Sequence, residues 1–463
     1  MNITLFGAAG DVTGSAYYVE TVSAKVLIDF GLFQGGKQAE ARNLKLPPID
    51  ITRLDAVILT HAHLDHTGRL PLLAKNGYQK PVYATPATIE MSALILHDSA
   101  KVKKLDVEKA NRKRSRLGQS HIQPIYSVED VDHVLKLFTP VPYNEPVAVA
   151  PRISIRVVEA GHILGSVSIE LTAIENENKK VVVFSGDLGP LGMAILKDPA
   201  PLPFANLVFL ESTYGDRDHR SLRDTLAEGE AVIRQAIKDK GKILIPSFAV
   251  GRTQQLLYYL AAAFHRGDFP RFPVFLDSPM AIEATNIYMK HTELYDEEAM
   301  ELERSGELKA DLSHVNMSIT PEESKAINDV EGPCMIIAGA GMCNAGRILH
   351  HLRHNLWKPE TSVIIIGYQA EGTLGRQLVD GAKTVRIFGE TIAVKASVHL
   401  LGGLSAHAGQ TELLRWFDVV AGSKPKIVLS HGEDKGRIPL GEIISNRYGL
   451  TPVLPGYGQV IGL

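Results

Sequence analysis

Short apolar runs that end in a polar residue or a glycine recur along the chain, and they restrict its fold more than any other feature. The runs are rich in valine and isoleucine, which predicts buried strands. They occupy residues 26–29, 56–61, 181–187, 207–211, 243–247, 274–278, 335–341, 363–367 and 427–431. Helical periodicity appears between them, for example from the expected N-cap Ser221 to Gly241. The chain is therefore predicted to be an α/β protein that binds its ligand where the strands end.

The 463 residues exceed what one hydrophobic core usually supports, which predicts two domains. Residues 152–172 have more strand character than the rest, which suggests two packed sheets in the early part of the chain. Strand and helix alternate from about residue 213 to residue 395, and two histidine-containing segments follow. We therefore expect a first domain made of residues 1–212 and 396–463, with residues 213–395 inserted as a second domain.

The composition is that of an ordinary globular protein, with 45% hydrophobic and 22% charged residues and a net charge of -3. These values exclude a disordered or coiled-coil chain. Cys334 and Cys343 are too few for a disulfide framework or a four-cysteine zinc site. The N-terminal residues do not resemble a secretory leader, and no stretch approaches the roughly 18 apolar residues of a membrane span. We expect a cytoplasmic protein that does not engage a membrane.

The strongest single motif is THAHLDHTG at residues 60–68, directly after a predicted strand. It places His61, His63, Asp65 and His66 on one turn. Imidazole and carboxylate groups suit zinc or a similar divalent ion. Four such donors within six residues are more than one turn can direct at a single ion. They suit two adjacent ions, with the first two donors on one ion and the last two on the other.

Two adjacent ions require further ligands, and three candidates lie at the ends of predicted strands. They are His162 in AGH, Asp187 in SGD and His431 in LSH. A carboxylate at residue 187 can bridge two ions. Taken one at a time, however, each of the three is more simply explained as a hydrogen-bonded polar residue.

The order of these motifs resembles a known family. HAHLDH, GH and SGD, in that order, form the signature of the metallo-β-lactamase fold. ESTYGD at residues 211–216, LSAHAG at residues 404–409 and LSHGE at residues 429–433 resemble three further motifs of the β-CASP nucleases. The region between them also looks similar to that family, with PSFAVGRTQQ, LDSPMA, AGAGMCNAGRILHHL and GYQAEGTLGRQL.

The resemblance implies a metallo-β-lactamase four-layer αβ/βα sandwich with an inserted α/β β-CASP domain. It also implies two zinc ions per chain. His61, His63 and His162 would hold one ion, Asp65, His66 and His431 would hold the other, and Asp187 would bridge them. Asp29 in LIDFG matches a residue that orients a ligand.

Phosphodiester hydrolysis also needs a proton donor that is not committed to a metal. His407 is the best candidate, with Glu211 as its orienting carboxylate, and the resemblance implies the same pair. The residues alone leave open that Glu211 caps a turn and that His407 begins a helix. The motif around His407 has the form SAH, which is found in the RNA-processing branch, whereas DNA-specific members typically have valine. A ribonuclease acting on single-stranded RNA is therefore favoured.

Contacts to substrate phosphates are expected from small hydroxyls, glycine-rich turns and arginines in the inserted region. The candidates are Ser247, Arg252, Ser278, Gly339, Gly341 and Arg347. Such strand-end residues are equally common in α/β proteins that bind no phosphate. The triplet His350, His351 and His354 is expected to lie on a helix surface rather than to form a third metal site.

One local concentration of charge stands out in residues 101–116, which contain eight basic and two acidic residues. Its simplest interpretation is a solvated helix face. The functional interpretation is a contact with an RNA phosphate backbone, which makes binding depend on salt.

Three other functions remain as alternatives. A small-molecule hydrolase of the thioesterase or lactamase type shares the HxHxDH motif, but a small substrate does not require a large inserted domain. A DNA nuclease of the same family is the second alternative. A non-catalytic scaffold is the third, and the complete set of ligand-type residues argues against it. The sequence does not determine endonuclease or exonuclease mode, and a homo-oligomer is compatible with it.

Overall fold

The computed structural model describes residues 1–306 and 314–463. The chain forms two compact units. The first consists of Met1–Leu191, Lys197–Asp218 and His407–Leu463, and the second consists of Gly192–Leu196 and His219–Ala406.

Strands are numbered in chain order through both units. They are β1 (Asn2–Leu5), β2 (Tyr17–Glu20), β3 (Lys25–Ile28), β4 (Ala56–Ile58), β5 (Val82–Ala84), β6 (Phe138–Pro140), β7 (Val147–Ala150), β8 (Ile153–Glu159), β9 (Val167–Glu175), β10 (Asn178–Phe184), β11 (Leu207–Glu211), β12 (Lys242–Pro246), β13 (Val274–Leu276), β14 (Val315–Met317), β15 (Cys334–Ala338), β16 (Ser362–Ile365), β17 (Thr384–Ile387), β18 (Glu390–Ala393), β19 (Ser397–Leu400), β20 (Lys426–Ser430) and β21 (Val460–Gly462). Each of the apolar runs named above overlaps one of these strands, which confirms the prediction from periodicity.

Helices are numbered in the same way. They are α1 (Lys37–Asn43), α2 (Leu64–Thr67), α3 (Leu70–Lys75), α4 (Pro86–Arg116), α5 (Val128–Leu135), α6 (Leu222–Lys238), α7 (Arg252–Arg266), α8 (Pro279–Lys290), α9 (Glu297–Ser305), α10 (Pro321–Ala326), α11 (Ile348–Asn355), α12 (Leu374–Val379), α13 (Gln410–Ala421) and α14 (Asp434–Tyr448). Ser221 caps α6 as predicted, because its hydroxyl accepts a hydrogen bond from the backbone N–H of Asp224 at 3.1 Å.

The first unit is a sandwich of two sheets. One sheet has the order β21-β1-β2-β3-β4-β5-β6 and the other has the order β20-β11-β10-β9-β8-β7. Their facing sides share one apolar core, to which Ile28 and Ile58 contribute from the first sheet and Ile169 and Phe184 from the second. This arrangement explains the strand character of residues 152–172, which form part of an antiparallel meander.

Helices cover both outer faces of the sandwich. Leu73 of α3 and Leu96 of α4 pack on the outer side of the first sheet. Phe417 of α13 and Leu440 of α14 pack on the outer side of the second sheet. The layer order is therefore helix, sheet, sheet, helix, which confirms the predicted four-layer αβ/βα architecture.

The second unit is a three-layer α/β structure. Its main sheet has the order β14-β13-β15-β12-β16-β19, and each pairing in it is parallel. The apolar sides of α6, α7 and α8 cover one face of this sheet, and α11, α12 and the β17–β18 hairpin cover the other. Parallel strands buried on both faces have nearly continuous apolar sequences, as Ile243–Ile245 and Met335–Ile337 do. None of the helices in the described residues is long and apolar enough to cross a bilayer.

Candidate metal centre

Ends of strands in the first unit bring the seven predicted metal-ligating residues together. His61 and His63 follow β4, Asp65 and His66 lie in α2, and His162, Asp187 and His431 follow β8, β10 and β20. In the second sheet of the sandwich, β10, β11 and β20 are parallel. Both β8 and β10 are antiparallel to β9, so β8 runs in the same direction as these three strands. Their carboxyl ends therefore meet at one edge, where α/β sheets place their ligands.

The first group of donors consists of three histidines and Asp187. Nδ1 of His63 lies 3.1 Å from Nε2 of His61 and 3.1 Å from Nε2 of His162. Oδ2 of Asp187 lies 3.5 Å from Nε2 of His61 and 3.6 Å from Nε2 of His162. One ligand atom from each of the four residues lies within 4.8 Å of every other.

The second group consists of Asp65, His66 and His431. Nε2 of His66 lies 3.2 Å from Nε2 of His431, and Nε2 of His431 lies 3.7 Å from Oδ2 of Asp65. These atoms also lie within 4.8 Å of one another.

Asp187 contacts both groups with different oxygens. Oδ2 faces His61 and His162, whereas Oδ1 lies 3.3 Å from Nε2 of His66 and 3.5 Å from Nδ1 of His431. Oδ1 is buried and accepts no hydrogen bond within the described residues. A buried carboxylate oxygen of this kind is costly unless a charged partner compensates it. The carboxylate is placed as a bridging ligand requires.

The geometry and charge of these donors fit a divalent metal. Ligands around a tetrahedral zinc ion are separated by about 3.3 Å when zinc–nitrogen bonds have their usual length, and the separations above fall around that value. Burial lowers the pKa of His61 well below its usual range and lowers that of His63 to about 4. Neutral imidazole is the form that binds metal. Burial favours a neutral Asp187, but the neighbouring histidines outweigh it and lower its pKa.

Asp29 and Thr60 hold the imidazole rings from behind. Oδ2 of Asp29 lies 2.7 Å from Nδ1 of His66 and accepts a hydrogen bond from the Thr60 hydroxyl at 2.8 Å. The backbone N–H of Thr60 donates to Oδ1 of Asp29 at 2.8 Å. Asp29 has a φ of 57° and His431 a φ of 47°, in the left-handed region, where a residue other than glycine costs about 1–3 kcal/mol.

Glu211 and His407 form a pair beside this cluster. Nδ1 of His407 lies 3.2 Å from Oε1 of Glu211 and 4.0 Å from Oδ2 of Asp187. Glu211 is buried at the end of β11, and it accepts hydrogen bonds from the backbone N–H groups of Leu188 at 2.8 Å and Thr213 at 3.2 Å. Burial lowers the pKa of His407, but the charge and hydrogen bond of Glu211 outweigh it and raise the pKa to about 9.

Asp187, His407 and His431 also have ligand atoms within 4.8 Å of one another. The position of His407 is therefore compatible with metal binding as well as with proton transfer. The side chain of His407 is 21% exposed, whereas those of His61 and His162 are fully buried. His407 is thus more open to a substrate than these donors are.

In the second unit, strand order explains how three of the predicted substrate-binding residues meet. β13, β15 and β12 are neighbours, and Ser278, Gly339 and Ser247 follow their carboxyl ends. A Cβ at Gly339 would lie 3.7 Å from the Ser278 hydroxyl and 3.8 Å from the backbone oxygen of Ser247. The nearby Gly341 packs under the Phe248 ring, which a Cβ would approach to 2.8 Å. The two hydroxyl-bearing residues and the glycine turn thus border one small surface.

The two predicted phosphate-binding arginines make contacts within the second unit. Arg252 is buried at the start of α7 and donates to Gln255 at 2.5 Å. Arg347 donates to the Asp277 carboxylate at 2.7 Å and to the carbonyls of Ser318 and Ile319 at 2.9 and 2.6 Å. Their contacts to a phosphate stay a prediction.

The histidine triplet lies on α11, with His350 and His354 exposed. The expectation of a surface position is wrong for His351, which is fully buried with its Nε2 2.7 Å from Oδ2 of Asp277. Residues 350 and 354 are four apart and share one face of the helix, whereas residue 351 faces the sheet.

Sequence reasoning missed two residues at the metal centre. Thr60 contacts Asp29, and its hydroxyl lies 3.1 Å from Nδ1 of His61. The Thr213 hydroxyl lies 3.2 Å from Nδ1 of His431. Thr60 opens the THAHLDH run and Thr213 lies in ESTYGD, so both are within recognised motifs. No local signal indicated which histidine each would contact.

Comparisons with known proteins agree with this geometry. Residues 9–246 match the family described as the metallo-beta-lactamase superfamily, residues 253–378 match the Beta-Casp domain, and residues 391–455 match the Zn-dependent metallo-hydrolase RNA specificity domain. A solved structure of a protein of unknown function from Enterococcus faecalis V583 aligns with 100% of this chain and 99% of its own, with a TM-score of 0.56. Its identity of 13% supports the fold alone.

Two curated relatives cover nearly all of the chain. "Ribonuclease TTHA0252" of Thermus thermophilus is 39% identical over 96% of both chains. "Transcription termination factor FttA" of Methanocaldococcus jannaschii is 30% identical over 98% of this chain and 70% of its own. The chain therefore belongs to the metallo-β-lactamase superfamily and, within it, to the β-CASP family of RNA-acting, metal-dependent hydrolases.

Proposed function

We propose that the protein is a zinc-dependent ribonuclease that hydrolyses phosphodiester bonds of single-stranded RNA at a two-metal centre. The observation that carries this proposal is the position of Asp187, whose two oxygens face two separate groups of donors. A single ion needs only one such group, whereas a bridging carboxylate serves two. The ribonuclease of Thermus thermophilus, 39% identical along almost the whole chain, supports RNA as the substrate.

In this proposal His61, His63 and His162 would hold one zinc ion, and Asp65, His66 and His431 would hold the other. Asp187 would be shared by the two groups. When bound, the ions supply Lewis acidity that activates a water nucleophile and neutralises charge on the phosphate. Asp29 and Thr60 fix the rings of His66 and His61, and such outer contacts also raise the basicity of the ligating nitrogen.

His407 acts as the general acid that protonates the leaving oxygen. Glu211 orients its ring through Nδ1. The Glu211 carboxylate is itself held by two backbone N–H groups, so the ring is positioned before substrate binds. Proton transfer by a positioned side chain contributes about 10²- to 10⁴-fold to the rate.

The surface formed by Ser247, Ser278, Gly339 and Gly341 binds a substrate phosphate, with hydroxyls and backbone N–H groups as donors. Arg252 and Arg347 contribute positive charge to the same unit. We further infer a cytoplasmic protein whose first domain is made of residues 1–212 and 396–463, with residues 213–395 inserted as the second domain. A homo-oligomer is compatible with this proposal.

Cleavage of end-labelled RNA tests the proposal. Zinc-loaded protein is incubated with RNA that carries a 5′-phosphate or a 5′-hydroxyl, with DNA of the same sequence and with a glutathione thioester. We expect cleavage of RNA, little cleavage of DNA and no thioester hydrolysis, and the product ladder will separate endonucleolytic from exonucleolytic cleavage. Asp187→Ala should abolish the activity, whereas Asp132→Ala, which removes a partly exposed carboxylate of the same unit, should not.

Two results would overturn the proposal. One is thioester turnover by a protein that leaves RNA intact. The other is RNA cleavage that survives the Asp187→Ala substitution, since it would indicate a contaminating nuclease.

A further inference from the structure

The long helix α4 ends in a projecting arm. We define the basic arm as residues 101–125, which comprise the end of α4 and the segment that returns beside it. The preceding part of α4 packs on the sandwich through Met91, Leu96 and Ala100. Within the basic arm, all of which the structure describes, no side chain is buried, and burial resumes at Tyr126. The arm therefore adds little to the core of the unit.

Hydrogen bonds hold the arm in a defined shape. The side-chain amide of Asn111 donates to the carbonyl of Ile122 at 2.9 Å and accepts from its N–H at 2.9 Å. Arg114 donates to the carbonyl of Ser120 at 2.6 Å. Ordering so many exposed residues costs conformational entropy that burial does not offset here. An element that is ordered without being buried in its own unit is suited to binding a partner molecule.

One face of the arm carries a stripe of positive charge. Residues spaced three or four apart lie on one side of a helix. The exposed residues on this side are Lys101, Leu105, Glu108, Lys109, Arg112 and Arg116. Four of the six are cationic and one is acidic, and they extend over about 22 Å at the helical rise of 1.5 Å per residue. We call the four cations the cationic stripe.

The other end of α4 is fixed next to the metal centre. The hydroxyls of Thr85 and Thr88 each donate to the carbonyl of Gly165 at 2.8 Å, in the loop that contains His162. From Thr88 the helix axis reaches Lys101 after about 20 Å and Arg116 after about 42 Å. The cationic stripe is therefore held at a fixed distance from the metal-binding loop by one continuous helix.

We propose that the cationic stripe binds the phosphate backbone of an RNA strand whose other part occupies the metal centre, an inference that rests on the proposed ribonuclease function. RNA is favoured over a protein partner because a row of cations matches a polyanion with regularly spaced charges. Binding of this kind releases counterions and is steeply salt-dependent. The stripe would thus select long strands over short ones without reading their sequence.

Neutralisation of the stripe tests the proposal. The arm variant carries Lys101→Gln, Lys109→Gln, Arg112→Gln and Arg116→Gln, which leave the bonds of Asn111 and Arg114 in place. A matched control carries the same change at four exposed lysines of the same unit, Lys45, Lys80, Lys136 and Lys179. Affinities of the zinc-loaded proteins are measured by fluorescence anisotropy over a range of salt, with cleavage-resistant phosphorothioate RNAs of about 30 and about 6 nucleotides.

For the long RNA we expect the arm variant to lose at least about tenfold in affinity at low salt. The slope of log affinity against log salt should fall by up to about 3, because each phosphate contact to a single strand contributes about 0.7. The short RNA and the turnover of a nitrophenyl phosphodiester should be unchanged. The control should retain the parental slope, and circular dichroism should show the parental fold in both variants.

Equal affinity and equal slope in the parent and the arm variant would overturn the inference. A change of oligomeric state in sedimentation without a change in RNA affinity would also overturn it, and would identify the arm, with its half-exposed Val102 and Leu105, as an interface between copies. If the parent protein does not cleave RNA, the proposed function is rejected as well. If the parent cleaves RNA but its RNA affinity does not depend on the arm, only this inference is rejected.

Discussion

His66 and Asp29 form a buried pair in which Nδ1 of the imidazole lies 2.7 Å from the carboxylate, so that Nε2 points towards Asp187 at 3.3 Å. The pair joins α2 to the end of β3, two segments separated by 37 positions in the chain. A carboxylate behind a histidine fixes the tautomer and the ring orientation that metal binding needs. A residue behind the donor, Asp29, therefore sets the orientation of His66 at the metal centre.

Asp29→Asn tests this orienting role of Asp29. Asparagine tolerates the positive φ of this position, but it loses the negative charge that raises the basicity of His66. We expect zinc affinity, measured by competition with a chelator, to fall about 10- to 100-fold. Asp132→Asn serves as the control, and unchanged affinity in Asp29→Asn would contradict the orienting role.

Metal analysis of the purified protein should return about two zinc ions per chain. This expectation rests on seven donors in two groups joined by Asp187. Removal of zinc by a chelator should abolish RNA cleavage, and added zinc should restore it. A reproducible content of one ion, or none, would be inconsistent with the dinuclear centre.

Asp65→Ala and Asp187→Ala should lose RNA cleavage and keep the fold. Each substitution removes the negative charge of a proposed ligand, and Asp187 contacts both groups. Circular dichroism should be parental in both variants, and zinc content should fall further in Asp187→Ala than in Asp65→Ala. Near-normal turnover of either variant at limiting zinc would show that the assignment is wrong.

His407→Ala should retain zinc and RNA binding but cleave about 10²- to 10⁴-fold more slowly. A nitrophenyl phosphodiester, whose leaving group needs little protonation, should recover part of this loss. Glu211→Gln should show the same pattern more weakly, because the amide keeps a hydrogen bond to His407 and loses the charge.

His431→Ala is the matched control for His407→Ala. It removes a proposed ligand, so it should lose zinc, and no leaving group should rescue it. His407 also lies within 4.8 Å of donor atoms of Asp187 and His431, so its position fits a metal ligand as well as a general acid. A ligand role predicts that His407→Ala loses zinc, whereas the acid role predicts that it retains zinc. Zinc loss in His407→Ala comparable with that in His431→Ala would assign His407 to the metal instead.

Gly31→Ala should damage the metal centre without a change in any ligand. A Cβ at Gly31 would overlap the backbone oxygen of Asp65, so the turn that carries Asp65 and His66 must move. Such overpacking typically costs about 1–3 kcal/mol, which thermal unfolding detects, and zinc affinity should fall with it. Gly36→Ala, at a position with no atom within 4 Å of the added Cβ, should leave both unchanged.

Local sequence determined the strands and the chemical character of the centre. Residues 207–210 and 243–246 are apolar throughout, because a strand covered on both faces has no solvent side, and each run lies within a strand as expected. The donors of THAHLDHTG lie within one turn, so their proximity follows from chain connectivity alone. The α/β class and the presence of a metal motif could therefore be read from neighbouring residues.

Tertiary structure decided which distant residues complete the centre. His431 reaches His66 across 365 positions only because β20 pairs with β11 at the edge of the second sheet. Periodicity shows that a segment is a strand but does not show which strand it pairs with. The pairing of β20 with β11 decides whether His431 joins the other donors or is an ordinary polar residue. The contact between Thr60 and Asp29, the burial of His351 against Asp277 and the projection of residues 101–125 from the sandwich arise in the same way. Each depends on long-range packing, which fixes what surrounds a side chain, whereas the local sequence fixes only its chemistry and the face on which it lies.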